Sequence, residues 1–233
     1  MVSIGCIESE LLGDRLVAVR EQSHLTLALC FDEMLNQPAA RARFICYMIQ
    51  MYHYVRFACP LMEKMLRLRD RLPPRIVDYL EQNLVEEAGH EQWILEDLER
   101  LGFEPDRVQR TRPLRQTASL VGSQYYWMRA SHPAVCFGYM FALERTAPTL
   151  EANREAIRKL AESLDIGIKA LSSLVRHGEL DFQHQKDKVE LLNSTRLDRG
   201  VEENLLQNCR ETMLNLCDLF VGIAGLPASQ LSD

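Results

Sequence analysis

Three stretches of the sequence place side chains that can bind metal ions where helical periodicity predicts a buried surface. At about 100° per residue, Glu87 falls near the centre of the apolar stripe of a predicted helix and His90 falls on its border. Glu144 follows an apolar run that contains Phe137 and Phe141, so it is also predicted to point inward. An ionised carboxylate in a dry core costs several kcal/mol, and each glutamate therefore needs a compensating cation.

The third stretch, His177-x3-Asp181-x2-His184, carries three candidate ligands. Steps of four and three residues bring His177, Asp181 and His184 within an arc of about 60° on one helix face. An isolated Glu-x-x-His pair is common by chance, and a single inward glutamate is more often ion-paired, whereas this triad is much rarer. Its occurrence together with the two buried glutamates favours one shared metal centre over three separate ion pairs.

Two divalent metal ions would compensate these carboxylates better than arginine, since a carboxylate can bridge metals and a neutral imidazole can bind one. Arg145 is the only adjacent arginine, and it lies on a different helix face from Glu144. Oxygen and nitrogen ligands without cysteine indicate iron or manganese rather than structural zinc. Glu86 and Glu91 remain alternatives to Glu87. The predicted metal ligands are Glu87, His90, Glu144, His177, Asp181 and His184.

Long helices are predicted to position these residues. The chain has 233 residues, 47% of them hydrophobic, with 11 glycines and 9 prolines, and no stretch alternates clearly with the period of a strand. So few helix breakers in a chain of this length predict a single all-α domain, spanning the whole chain, of about eight helices. The periodic segments are 8–35, 38–59, 74–101, 114–130, 131–146, 149–176, 177–192 and 199–223.

Composition and charge exclude several other classes of protein. A net charge of −6 and a pI near 5.6 are not those of a broadly basic nucleic-acid-binding protein. The 7 cysteines are an odd number without a C-x-x-C pair, which is typical of free thiols in a reducing compartment. The N-terminus has no signal-peptide pattern, and the longest apolar run, 134–143, is too short to span a bilayer. A cytoplasmic protein that binds neither nucleic acid nor membranes is expected.

The sequence resembles the heme-oxygenase-like di-iron oxidases and oxygenases over nearly its whole length. The resemblance rests on Asn83-Leu-Val-Glu-Glu-Ala-Gly-His90, on Glu144 at the end of Met-Phe-Ala-Leu-Glu, and on the triad that begins at His177. The intervals from Glu87 to Glu144 and from Glu144 to His177 also resemble the helix spacing of that family. The short Glu-x-x-His pair is similar to relatives that decarboxylate fatty acids, whereas many other relatives place the histidine further from the glutamate.

The resemblance implies a heme-oxygenase-like helical bundle that uses two ferrous ions and O2 to oxidise a small organic substrate. Amino acids, their derivatives or fatty acids are the implied substrates, and N-oxygenation, desaturation, decarboxylation or C–C cleavage the implied reactions, in the biosynthesis of specialised metabolites. An external electron donor and a homodimer are also expected. One iron would be held mainly by Glu87, His90, Glu144 and His177, and the second by Asp181 and His184 with a bridging carboxylate.

Other functions remain compatible with the sequence. A metal-free TenA-like hydrolase or small-molecule-binding protein of the same fold would need no iron. A ferritin-like bundle would pair Glu21-x-x-His24 with the later Glu-x-x-His, but too little chain precedes the first pair and the triad stays unused. Haem binding through His24 is disfavoured, because the sequence lacks the glycine-rich distal helix that such binding needs. In the di-iron function, a substrate carboxylate is expected to meet an inward basic residue, Arg56 or Arg145.

Overall fold

A computed structural model describes residues 11–144 and 149–231, and within these ranges every regular element is helical. The all-α prediction is therefore confirmed, although the described ranges contain more helices than the sequence suggested. The start of predicted segment 8–35 and the end of segment 131–146 lie outside the described residues. The α-helices are α1 (Leu12–Asn36), α2 (Ala40–Val55), α3 (Ala58–Leu66), α4 (Pro74–Glu86), α5 (His90–Arg100), α6 (Pro105–Arg110), α7 (Arg115–Ala130), α8 (Phe137–Leu143), α9 (Leu150–Ser163), α10 (Ser172–Asn193) and α11 (Arg199–Ala224).

The core forms around α1 and α11, the two longest helices, which pack closely against each other. Their apolar faces bury Leu16 and Phe220 completely, because long amphipathic helices must hide a continuous apolar stripe. The ring of Phe220 meets Phe31 of α1 and Tyr47 of α2 edge-on, with centroids 5.2 Å apart in both pairs. Helices α2, α8 and α10 pack around this pair and are held in place by it.

The segment predicted as one helix over 74–101 is in fact two helices, because the chain turns between Glu86 and His90. Gly89 in this turn has a φ of +86°, a left-handed conformation that glycine adopts without steric cost. Glu87 and His90 therefore do not lie on one continuous helix, and the prediction of a shared helical stripe is wrong. The turn nevertheless keeps them adjacent, since the His90 amide donates a hydrogen bond to the Glu87 carbonyl oxygen at 3.3 Å.

The predicted boundary between residues 176 and 177 is wrong in the opposite sense, because α10 continues through it. Gly178 lies inside this helix and lets α9 approach closely. The side chain of Asn153 on α9 occupies the space that a Cβ atom at Gly178 would fill. The triad that begins at His177 therefore lies on a single helix, as its spacing requires.

The N-terminus of α10 is attached to α5 through a completely buried carboxylate, Asp97. It accepts hydrogen bonds from the Ser173 amide at 2.6 Å and from the Ser172 hydroxyl at 2.7 Å. Such bonds satisfy amide groups that have no partner within the first turn of a helix. Because α5 begins with His90, this contact fixes the relative position of two helices that carry predicted ligands.

Candidate metal centre

A cavity of about 530 Å³ lies inside the helical bundle and is lined by residues from α1, α2, α8 and α10, among other helices. Most of its wall is apolar, with aromatic and methionine side chains such as Phe44, Tyr54 and Met62. Its size and lining are typical of sites for small organic molecules. The polar groups on its wall include the side chains of Asn83, Glu87, Glu144, His177 and Asp181.

Glu87, His90 and His177 form the first ligand group, in which one ligand atom from each side chain lies within 4.8 Å of the others. Glu87 Oε2 is 2.8 Å from His90 Nδ1. The His90 and His177 rings meet edge-on with their centroids 5.0 Å apart. The turn between α4 and α5 and the second turn of α10 therefore bring one carboxylate and two imidazoles to one point.

Glu87, Glu144 and His184 form the second ligand group, under the same 4.8 Å limit. His184 Nδ1 lies 3.4 Å from Glu87 Oε1 and 3.7 Å from Glu144 Oε1. Glu144 comes directly after the last residue of α8, and His184 lies about two turns after His177 on the same face of α10. Glu87 belongs to both groups, and a carboxylate can offer one oxygen to each of two metals.

Two further contacts orient the histidines. His177 Nδ1 lies 3.0 Å from the Ser173 carbonyl oxygen, so it donates a proton there and leaves Nε2 for a metal. On the opposite side of the His184 ring, Nε2 lies 3.3 Å from Glu86 Oε2. Glu86 is thus placed to orient His184, while Glu87 belongs to both ligand groups and Glu91 to neither.

Asp181 is the one predicted ligand that neither group contains. It is half-buried and lines the same cavity, one helical turn from His177 on α10. The structure therefore brings five of the six predicted residues into the two groups and places the sixth on the adjoining wall.

Sequence analysis missed Lys188, which lies on α10 and is completely buried. Its ammonium group forms an ion pair with Glu144 Oε1, and its Nζ atom lies 5.4 Å from the centre of the Tyr79 ring. Burial lowers the pKa of Lys188, but the charge of Glu144 outweighs this effect and raises the pKa above its ordinary value, so the ammonium persists. The spacing did contain a signal, since Lys188 follows His184 by one helical turn and shares its face.

Burial and charge also act on the ligand groups themselves. Burial alone would raise the pKa of Glu87, but contact with His90 and the nearby charges of His184 and Lys188 lower it overall. Burial lowers the pKa of His177, and His90 adds to that effect. Glu87 is therefore held as a carboxylate and His177 as a neutral imidazole, the forms in which both bind metals.

The chemistry of these residues fits a divalent metal. Glu144 Oε2 is buried and has no hydrogen-bond partner within the described residues, although buried carboxylate oxygens are normally paired. A metal ion in the second group would pair it. Carboxylate and imidazole ligands without thiolates suit iron or manganese.

A sequence profile described as iron-containing redox enzymes matches residues 46–218 of this chain, a segment that holds both ligand groups. The chain belongs to the family of iron-containing redox enzymes. Membership in this redox family agrees with the carboxylate and imidazole groups in the cavity. Among proteins with curated functions, none matches this sequence.

Solved structures show the fold of this redox enzyme to be heme-oxygenase-like. A domain of unknown function with a heme oxygenase-like fold from Shewanella denitrificans OS217 superposes with a TM-score of 0.72 at 19% identity, covering 87% of this chain and 90% of that one. A TenA homolog from Pseudomonas syringae pv. tomato DC3000 gives a TM-score of 0.64 at 14% identity, covering 91% of each chain. Every helix in the described ranges is too short or too polar to cross a bilayer.

Proposed function

We propose that this protein is an O2-dependent, non-heme di-iron oxidoreductase that oxidises a small organic molecule bound in the cavity. The observation that carries the proposal is the pair of ligand groups that share Glu87. A shared carboxylate with two imidazoles on one side and a carboxylate and an imidazole on the other is an arrangement that suits two adjacent divalent ions. The match to iron-containing redox enzymes supports iron as the metal.

The two irons share Glu87 and otherwise have separate ligands in this proposal. Glu87, His90 and His177 would hold one ion, and Glu87, Glu144 and His184 would hold the other. The geometry thus supports Glu144 as a ligand beside His184, whereas the family resemblance implied that it binds with His177. Asp181 remains a candidate additional ligand of the second ion, from the adjoining wall. When bound, two ferrous ions supply the electrons with which O2 is reduced, and an external donor restores the ferrous state.

The protein's own residues shape the site around the metals. Ser173 and Glu86 fix the orientation of the His177 and His184 rings, because each binds the ring nitrogen that faces away from the ligand group. The largely apolar wall is suited to pack against the apolar part of a substrate. A small-molecule substrate, an external electron donor and a homodimer remain part of the proposal.

Anaerobic titration with ferrous ions, followed by measurement of O2 consumption, tests the proposed function. We expect about two ferrous ions to bind per chain and O2 uptake to require them. Glu87→Gln should weaken both sites because both use this carboxylate. Glu91→Gln, which changes a neighbouring carboxylate outside both groups, is the matched control and should bind iron normally. Absence of iron binding, or iron binding without any O2 uptake, would refute the proposal.

A metal-free hydrolase or binding protein is the second candidate, and the Lys188–Glu144 ion pair favours it. This pair neutralises one buried carboxylate without any metal. The similarity in fold to a TenA homolog is compatible with it. This candidate predicts that chelator-treated and iron-loaded protein bind and convert small molecules equally well, and the iron titration therefore separates the two functions.

A further inference from the structure

Asn83 is a buried amide in the cavity that the proposed metal sites do not use. It lies on α4, one helical turn before Glu87, and lines the cavity wall with only 2% of its surface exposed. Within the described residues, neither Asn83 Oδ1 nor Asn83 Nδ2 has a hydrogen-bond partner. Buried amide groups are nearly always paired, so one that leaves both a donor and an acceptor open needs an explanation.

The charges around the cavity restrict what could pair with this amide. The acidic side chains on the wall are Asp32, Glu87, Glu144 and Asp181, and no lysine or arginine is among the described residues that line it. Arg56, which the sequence suggested for a substrate carboxylate, is exposed and stacks on the rings of Tyr52 and Phe57 instead. Arg145, the other suggested residue, lies outside the described ranges.

We propose that Asn83 binds the polar head of the substrate, and that this head is uncharged and carries a donor and an acceptor side by side, as a primary carboxamide does. The proposal rests on the proposed function only in placing the substrate in this cavity. A carboxamide pairs with both Oδ1 and Nδ2 of Asn83. An ammonium group pairs only with Oδ1, and a carboxylate pairs only with Nδ2, so each leaves one atom of the amide unpaired. In the metal-free protein, the acidic wall also repels a carboxylate. The apolar wall holds an alkyl chain attached to this head.

Binding of three probes with the same alkyl chain tests the proposal: octanamide, octylamine and octanoate. Isothermal titration calorimetry on the full-length, chelator-treated protein measures their affinities without any metal. We expect octanamide to bind most tightly and octanoate most weakly. In Asn83→Leu, which keeps the side-chain volume, octanamide should lose about tenfold or more in affinity, since two hydrogen bonds are removed. Equal affinities in the wild-type protein, or tightest binding of octylamine or octanoate, would overturn the proposal.

Thermal unfolding without ligand gives an independent measurement. Asn83→Leu removes two unpaired buried atoms, so its Tm should be higher than that of the wild-type protein, as at sites where function opposes stability. Asn208 on α11 is equally buried, but its Nδ2 donates to Gln124 Oε1 at 2.9 Å, and it is the matched control. Asn208→Leu should lower the Tm and leave octanamide affinity unchanged. A lower Tm for Asn83→Leu would show a structural role and contradict the proposal.

The same variant separates this proposal from a role for Asn83 as a metal ligand. If Asn83→Leu weakens ferrous binding but leaves octanamide affinity unchanged, the amide serves the metal and the proposal fails. Because the probes are measured without metal, failure of iron binding or of O2 uptake refutes the proposed function without changing the result for Asn83.

Discussion

The two ligand groups share Glu87 but balance its charge in different ways. The first group combines Glu87 with His90 and His177, and neither lysine nor arginine is ion-paired with it among the described contacts. The second group combines Glu87 with Glu144 and His184, and Lys188 is ion-paired with Glu144. The two ligand groups, and the metal positions proposed for them, are therefore unequal before any metal binds.

The difference predicts an order of metal binding. A metal ion that binds the second group must share Glu144 with the ammonium group of Lys188, which already compensates the carboxylate. The metal ion and the ammonium are both positive and repel each other at close range. A metal that enters the first group meets two imidazoles and one carboxylate and displaces no such cation. We therefore expect the first group to bind iron more tightly than the second.

Replacing Lys188 should have the largest effect on this comparison. Lys188→Met leaves Glu144 buried without its cation, and breaking a buried ion pair in this way costs about 3–5 kcal/mol in the free energy of unfolding. A divalent metal should restore much of this stability, because it supplies the missing charge, and should bind the second group more tightly than in the wild-type protein. Chemical denaturation with and without ferrous ions measures both effects.

Lys186 provides the control for this change, since it lies on the same helix but is exposed. Lys186→Met should leave both stability and metal binding unchanged. If Lys188→Met is as stable as the wild-type protein without metal, Lys188 does not compensate the charge of Glu144. The proposed difference between the two ligand groups is then wrong.

Removing one histidine from each group should separate the two metal positions. His177→Ala is expected to lose the tighter ferrous ion, and His184→Ala only the weaker one, because each residue belongs to one group. The iron content after anaerobic loading and desalting, with the O2 uptake of each variant, tests this expectation. Identical iron contents in the two variants would show that the groups bind metal as one unit, and full activity of His184→Ala would refute a catalytic second site.

Replacing Asp181 should reduce ferrous affinity less than replacing His177 or His184, which lie on either side of it on α10. Asp181→Asn is expected to leave the first ferrous ion unaffected and to weaken the second by less than about tenfold, since Asp181 is in neither group. Asp187→Asn is a control on the same helix, where the side chain accepts a hydrogen bond from Gln183 at 2.7 Å. A loss as large as that in His184→Ala would indicate that Asp181 joins the second group when metal binds.

Trp93 should have the smallest effect, and only on the first group. Its ring lies 4.1 Å from that of His90 and 5.3 Å from that of His177, measured between centroids. Trp93→Leu removes aromatic contacts that orient the two rings but no candidate ligand, so the ferrous affinity of the first group should fall by only about threefold. Trp127→Leu changes the other tryptophan, which lies on α7 and donates a hydrogen bond to Glu211 on α11. This variant should not affect iron binding. Weaker binding at the second group would contradict this assignment.

Prediction from the sequence succeeded where the pattern was local. Spacings of four and three residues correctly placed His177, Asp181 and His184 on one helix, because helical geometry depends only on neighbouring residues. The same argument failed at Glu87 and His90, since the turn at Gly89 interrupts the helix there. The search for a cation that compensates Glu144 also failed, because it considered only arginine, whereas the partner in the structure is Lys188.

The sequence by itself determined the helical class, the resemblance to di-iron oxidases and the candidate residue types for metal binding, since periodicity and composition are properties of the chain. Only the tertiary structure decided which residues meet. It placed Glu87 in both groups and paired Lys188 with Glu144. It also left the amide of Asn83, on the cavity wall, without a partner among the described residues. The physical reason is that these contacts join α4, α8 and α10, and the packing of separate helices depends on the whole core rather than on local spacing.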